Sequence, residues 1–226
     1  MTIESEGPFN PLDKTNLGLT VAKAMLEREP VKLRMETEFP GAGIYAIYYI
    51  GNYKAYKPVA LKNAGGQFAW PIYVGKAIPS GGRKGLIRKL SKKAKPSDAL
   101  AAGPLCKRLD EHAGSIQVVR NLNIDDFFCR YLAVDDIWIP LGESLLINRF
   151  RPIWNVVIDG FGNHDPGGGR RVQARSSWDT LHPGRPWAEK QGPSRLTEKQ
   201  ILTNLEDFFA GHAHFETDEG EQDDET

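Results

Sequence analysis

The run Gly43-Ile44-Tyr45-Ala46-Ile47-Tyr48-Tyr49-Ile50 constrains this chain more than any other segment. Aromatic and β-branched side chains crowd a pleated strand favourably and a helix poorly, so the run predicts a strand that Gly51-Asn52 ends in a turn. Alternation puts Tyr45 and Ile47 on one face and Ile44 and Ala46 on the other, without saying which face carries function. A second strand is predicted at Ile72-Tyr73-Val74 and a third over 126–134 (DFFCRYLAV). Between the first two, residues 53–70 read as a loop or an extended hairpin excursion.

Helices are predicted around this sheet. Residues 15–29 place Leu17, Val21, Ala24 and Leu26 near helical spacing, and Pro30 ends them. A basic helix is predicted over residues 83–94. Residues 104–113 start at Pro104, and 140–150 enter through Pro140 and present Leu141, Leu145, Leu146 and Phe150 on one side. Thr197 and Gln200 have capping-box spacing and open a last helix to about Ala210. The order strand, strand, helix, helix, strand, helix predicts an α+β domain with a three-stranded antiparallel sheet flanked by helices. The chain is expected to divide into an N-terminal arm and helix (1–40), a core (41–158) with the 53–70 insertion, an extension (159–211) and a disordered acidic tail (212–226).

The formal net charge of zero conceals an asymmetry. Residues 212–226 hold seven acids and no Lys or Arg, so the remainder has 29 basic against 22 acidic residues, a net of +7. From Lys76 to Lys95 there are eight basic residues and no acid. Such a patch concentrates a polyanion and suggests phosphate contacts; a solvated helix face is the plain alternative. No apolar run approaches the roughly 20 residues that a membrane span needs. The acidic N-terminus lacks the apolar stretch of a secretory signal, and the two cysteines, Cys106 and Cys129, read as reduced thiols. The expected location is the cytoplasm.

Gly43-Ile44-Tyr45 and Tyr73-Val74-Gly75 stand on the two hairpin strands, followed by Arg108, His112, Glu143 and Asn155. The ordered set resembles the GIY-YIG nuclease superfamily over roughly residues 41–190. Ser177-Trp178-Asp179-Thr180-Leu181-His182-Pro183-Gly184-Arg185 looks like its type II restriction endonucleases, in particular the subgroup that cuts a palindromic CCGCGG-like site. Tyr49-Ile50-Gly51 spells the second tripeptide literally, but it lies on the strand of Tyr45 and cannot face it across a hairpin, so Tyr73 is chosen.

The resemblance implies site-specific hydrolysis of double-stranded DNA. It makes Tyr45 the general base and Tyr73 a group that binds the scissile phosphate or positions water. Arg108 is the transition-state stabiliser, and Glu143 is the ligand of Mg²⁺, with Mn²⁺ as an alternative. A hard carboxylate oxygen suits either ion. Arg108 and His112, four apart on a helix, share a face; His112 would share a proton with Tyr45 or orient the water, unless Arg108 merely pairs with Glu111 at the surface. A free phenol titrates near ~10, so Tyr45 needs help, expected from Lys76 and the metal. Asn155 would tie the site together. Lys89, Lys92 and Lys93 are expected on phosphates, and Arg170, Arg171, Arg175 and Arg185, with His182 nearby, as candidates for guanine or backbone contacts. A palindrome implies a homodimer, and a restriction enzyme implies a cognate DNA methyltransferase. The rivals are a structure-specific repair or recombination nuclease and a non-catalytic DNA-binding module.

Overall fold

A computed structural model of the chain describes residues 13–78, 102–165 and 173–211. The expected basic helix (83–94) and acidic tail lie outside the described residues. The elements are α1 (Lys14–Leu26), β1 (Val31–Lys32), β2 (Gly43–Tyr49), α2 (Lys57–Asn63), β3 (Tyr73–Ala77), α3 (Pro104–Gln117), β4 (Phe127–Ala133), α4 (Ile139–Phe150), α5 (Ile153–Val156), α6 (Ser177–Leu181) and α7 (Glu198–Phe209).

The sheet has four strands in the order β1-β4-β2-β3, and every pairing is antiparallel. The α+β class holds, while the expected three strands become four. The added strand is the pair Val31–Lys32 against Cys129 and Phe128; both residues are exposed, and two residues leave no alternation to read. Every residue of β2 is buried, because helices cover both faces, and this is why its sequence is an almost unbroken apolar and aromatic run.

One face of β2, bearing Tyr45, Ile47 and Tyr49, packs on Leu105, Leu109, Ala113 and Ile116 of α3, Ile153 and Trp154 of α5, Trp178 of α6 and Ile201 and Leu205 of α7. The other, bearing Ile44, Ala46 and Tyr48, packs on Ala22 and Met25 of α1 and on Ile139 and Leu146 of α4. A capping box of Thr197 and Gln200 opens α7 as expected. Cys106 and Cys129 are free and buried. No helix among the described residues is long and apolar enough to cross a membrane.

The 53–70 segment is not a loop. It forms a 3-10 turn (Lys54–Tyr56), then α2 and a second 3-10 turn (Ala64–Gly66), with Tyr56, Val59 and Asn63 fully buried. Asn63 closes the excursion: its amide nitrogen donates to the carbonyls of Tyr49 (3.0 Å) and Trp70 (2.9 Å), and its oxygen accepts from the Trp70 N–H (2.9 Å). Gly65 and Gly66, at φ 66° and 81°, supply the left-handed backbone that reverses the chain. A helix of seven residues, with Pro58 in its first turn and two glycines soon after its end, carries too little periodicity to be read in advance.

Candidate active site

The site is built around β3, which stands at the edge of the sheet. Gly75 lies opposite Tyr45, and a Cβ there would sit 2.4 Å from the Tyr45 hydroxyl. The third position of the tripeptide is therefore glycine because the phenol of Tyr45 lies across it. Tyr73 is opposite Ile47 and shares the face of Tyr45, with ring centroids 6.2 Å apart. Tyr49 is instead packed against Phe127 and Tyr56, and its hydroxyl accepts from the Tyr53 N–H at 2.8 Å.

The outer edge of β3 is held by Asn155 of α5. Its oxygen accepts from the Val74 N–H and its nitrogen donates to the Val74 carbonyl, both at 2.8 Å. Asn155 thus imitates one residue of a neighbouring strand and fixes the tyrosine-bearing strand.

Helix α3 brings His112 and Arg108 over the same face. The Tyr45 hydroxyl lies 2.6 Å from His112 Nε2. Burial pushes Tyr45 well above the usual phenol range, Tyr73 pushes the same way, and the Arg108 charge opposes them. Burial also holds His112 well below its ordinary value, helped by Arg108, His164 and Arg185. The bond therefore joins two neutral groups. Arg108 donates from Nη1 to Glu111 (3.0 Å) and from Nη2 to the carbonyl of Gly162 (2.7 Å), and Nη1 also meets the imidazole of His164.

Lys76 faces the other way. It is opposite Ile44, on the α4 side, and its ammonium lies 2.5 Å from the Glu143 carboxylate. Glu143 is 15% exposed and Lys76 37%. The expectation that Lys76 lowers Tyr45 is corrected: its partner is Glu143, the opposing charge at Tyr45 is Arg108, and burial outweighs it. Glu143 also raises both Tyr45 and Tyr73, so the carboxylate acts on the phenols from its own side. Among the described residues no three His, Cys, Asp or Glu gather as a metal cage. The Glu143 carboxylate alone still fits Mg²⁺, which keeps several waters and takes one or two carboxylates plus substrate phosphate.

Arg185 cannot read a base. It is 2% exposed and lies between the rings of Trp178 and Trp187, 4.4 and 4.6 Å from their centroids. Its five N–H groups match five contacts: two to Asp179 (2.6 and 2.7 Å) and one each to the carbonyls of Gly160 (2.8 Å), Phe161 (3.2 Å) and Asn163 (3.2 Å). His182 is equally enclosed. It donates from Nδ1 to the Asn121 oxygen (2.9 Å), because the Asn121 amide nitrogen donates to the Leu181 carbonyl, and so Nε2 accepts from the Tyr56 hydroxyl (2.6 Å). Arg175 is half-buried and holds the carbonyls of Ala188 (3.2 Å) and Glu189 (3.3 Å). Lys89, Lys92, Lys93, Arg170 and Arg171 lie outside the described residues.

Sequence reading missed Phe161, whose ring stacks on His112 (4.5 Å, 17°), the Gly162 carbonyl and His164. They fall in a Gly- and Pro-rich stretch without periodicity, so only the fold brings them to α3.

A family model described as the Eco29kI GIY-YIG domain matches residues 37–209, more than half of the chain. The chain belongs to this family of GIY-YIG restriction endonucleases, and is thus a restriction-type nuclease whose substrate is DNA. None of the curated proteins matches it.

Proposed function

We propose that the chain is a type II restriction endonuclease that hydrolyses both strands of DNA at a palindromic, CCGCGG-like site, using Mg²⁺ or Mn²⁺. The observation that carries this reading is the convergence at Gly75 of Tyr45, Tyr73, His112 and Arg108 on one side and the Glu143–Lys76 pair on the other. Glu143 would hold the metal ion, which when bound neutralises charge on the scissile phosphate.

The proton path follows from the buried pair. A phenol held above its usual range does not wait as phenolate; it passes its proton to His112 Nε2 as it takes one from the attacking water. The hydroxide oxygen bonds to phosphorus, the bond to the leaving oxygen breaks, that oxygen takes a proton from solvent, and His112 returns its own to Tyr45 as the phenol oxygen releases the water's proton to solvent, which restores both groups. Arg108 presents its fork to the phosphate oxygens as charge develops there. Tyr73 orients the phosphate, Asn155 keeps β3 in register, and Lys76 adds a cation beside Glu143. A palindrome calls for two-fold related subunits, hence a homodimer, acting in the cytoplasm with a cognate methyltransferase protecting the host sites.

The test is incubation of the protein with plasmid bearing CCGCGG sites, with Mg²⁺ and with EDTA. Discrete fragments with Mg²⁺ and none with EDTA are expected. Cleavage that persists in EDTA would reject the metal-dependent reading, and fragments unrelated to CCGCGG would reject the target.

A further inference from the structure

The residues that grip Arg108 and stack on His112 sit on one short turn, 160–164. That turn is held from below. Gly160 (φ 96°) lies so close to Ser176 that a Cβ would meet the serine side chain at 2.1 Å. The Trp178 N–H donates to the Asp159 carbonyl (2.9 Å), and the Ser177 N–H donates to its carboxylate (3.2 Å). Arg185 then closes on the carbonyls of Gly160, Phe161 and Asn163, while Asp179, itself bonded by the Ser176 hydroxyl (2.7 Å), fixes the guanidinium. A planar five-donor fork meets all of these acceptors at once; an ammonium cannot.

We propose that Arg185 is a positioning residue for cleavage: it locks the turn whose Gly162 carbonyl aims Arg108 and whose Phe161 ring seats His112. The assignment rests on the reading of Arg108 and His112 as the catalytic groups. It gives the Ser177–Arg185 segment a role in rate rather than in base recognition.

Arg185→Lys keeps a charge opposite Asp179 but not the three carbonyl contacts; Arg185→Met removes both. Single-turnover cleavage with Mg²⁺ is followed on a plasmid that the wild-type protein cuts, and binding is followed on a short duplex of the same sequence without metal. Expected is a rate constant lower by about 10- to 100-fold for Lys and more for Met, with full amplitude and binding within about threefold. A purely structural role would instead reduce the amplitude and leave the rate constant alone, which overturns the proposal. Selective loss of cognate binding would overturn it in favour of base reading. Should the Arg185 variants fail to fold, Phe161→Leu reads the same turn: it removes the ring on His112 and spares the gripped carbonyls, and an unchanged rate constant would reject the proposal. Arg108→Lys is run alongside. If it keeps the wild-type rate, the catalytic reading itself falls; if it slows cleavage while Arg185→Lys does not, only the positioning role falls.

Discussion

The protein contains the same hydrogen-bonded pair twice. Tyr45 and His112 meet at 2.6 Å, and so do Tyr56 and His182. Both phenols are pushed up and both imidazoles down, with burial the largest cause each time. The surroundings differ. Around Tyr45 stand Tyr73, Arg108 and, acting from the α4 side, Glu143. Around Tyr56 and His182 stand Tyr53, Trp154, Trp178 and Asn121, and the one charge that reaches His182, Arg185, is locked to Asp179. A tyrosine–histidine bond in an apolar shell is a cross-link, here pinning the 53–70 insertion to the C-terminal extension. What sets the other pair apart is the charged groups beside it, which on the proposed reading act on a phosphate.

That contrast can be broken in several ways. The largest effect is expected at Glu143, because removing the carboxylate would take away the side chain proposed to hold the metal: Glu143→Gln should slow cleavage by at least about 10³-fold while binding to the cognate duplex survives. Near wild-type cleavage would remove Glu143 from the site.

Next comes the choice between tyrosines. Tyr73→Phe should lower the single-turnover rate by roughly 10- to 100-fold, whereas Tyr49→Phe, whose hydroxyl accepts only from the Tyr53 backbone N–H, should stay within about threefold of wild type. The reverse ranking would mean that the literal Tyr49-Ile50-Gly51 motif is the functional one.

The smallest effect is on stability against pH. His182 titrates at about 3 in the folded protein against 6.5 when unfolded, so between these values the unfolded chain binds more protons. Stability should then rise with pH across that window and be lost as pH falls through it, by about 1.4 kcal/mol per pH unit for each such histidine. His112 acts in the same direction. His182→Gln should make the acid limb of a urea-midpoint-versus-pH curve shallower by one proton; an unaltered slope would show that His182 is already charged in the folded state.

The elements that were legible in the sequence are those with a period or a cap. The aromatic run of β2, the Pro104 and Pro140 starts of α3 and α4, and the Thr197–Gln200 box of α7 each state a local rule that the fold keeps. The separation of Tyr73 from Tyr49 followed from the same rule, since a strand cannot pair with itself. β1 was hidden because two exposed residues have no pattern, and α2 because Pro58 and the Gly65–Gly66 pair outweigh the short apolar run Val59-Ala60-Leu61, of which only Val59 is fully buried. Arg185 was misread for a different reason. An arginine among glycines and prolines looks like a solvent-facing donor, and nothing local announces that Asp179, three backbone carbonyls and two tryptophans enclose it. Phe161, Gly162 and His164 depend wholly on a long-range approach to α3 and had no local signal at all.

On the proposed reading the charged surroundings, and not the tyrosine–histidine bond, define the site. The most direct test of that reading is the single-turnover cleavage rate constant of Tyr45→Phe beside that of Tyr56→Phe, each measured where the variant is fully folded. Both substitutions delete the same hydroxyl from the same kind of bond and leave a buried imidazole nitrogen unpaired, at about 1–3 kcal/mol of stability. Expected is a loss of roughly 10²-fold or more in rate for Tyr45→Phe and a change within about threefold for Tyr56→Phe. Equal losses, or a larger one at Tyr56, would contradict that reading.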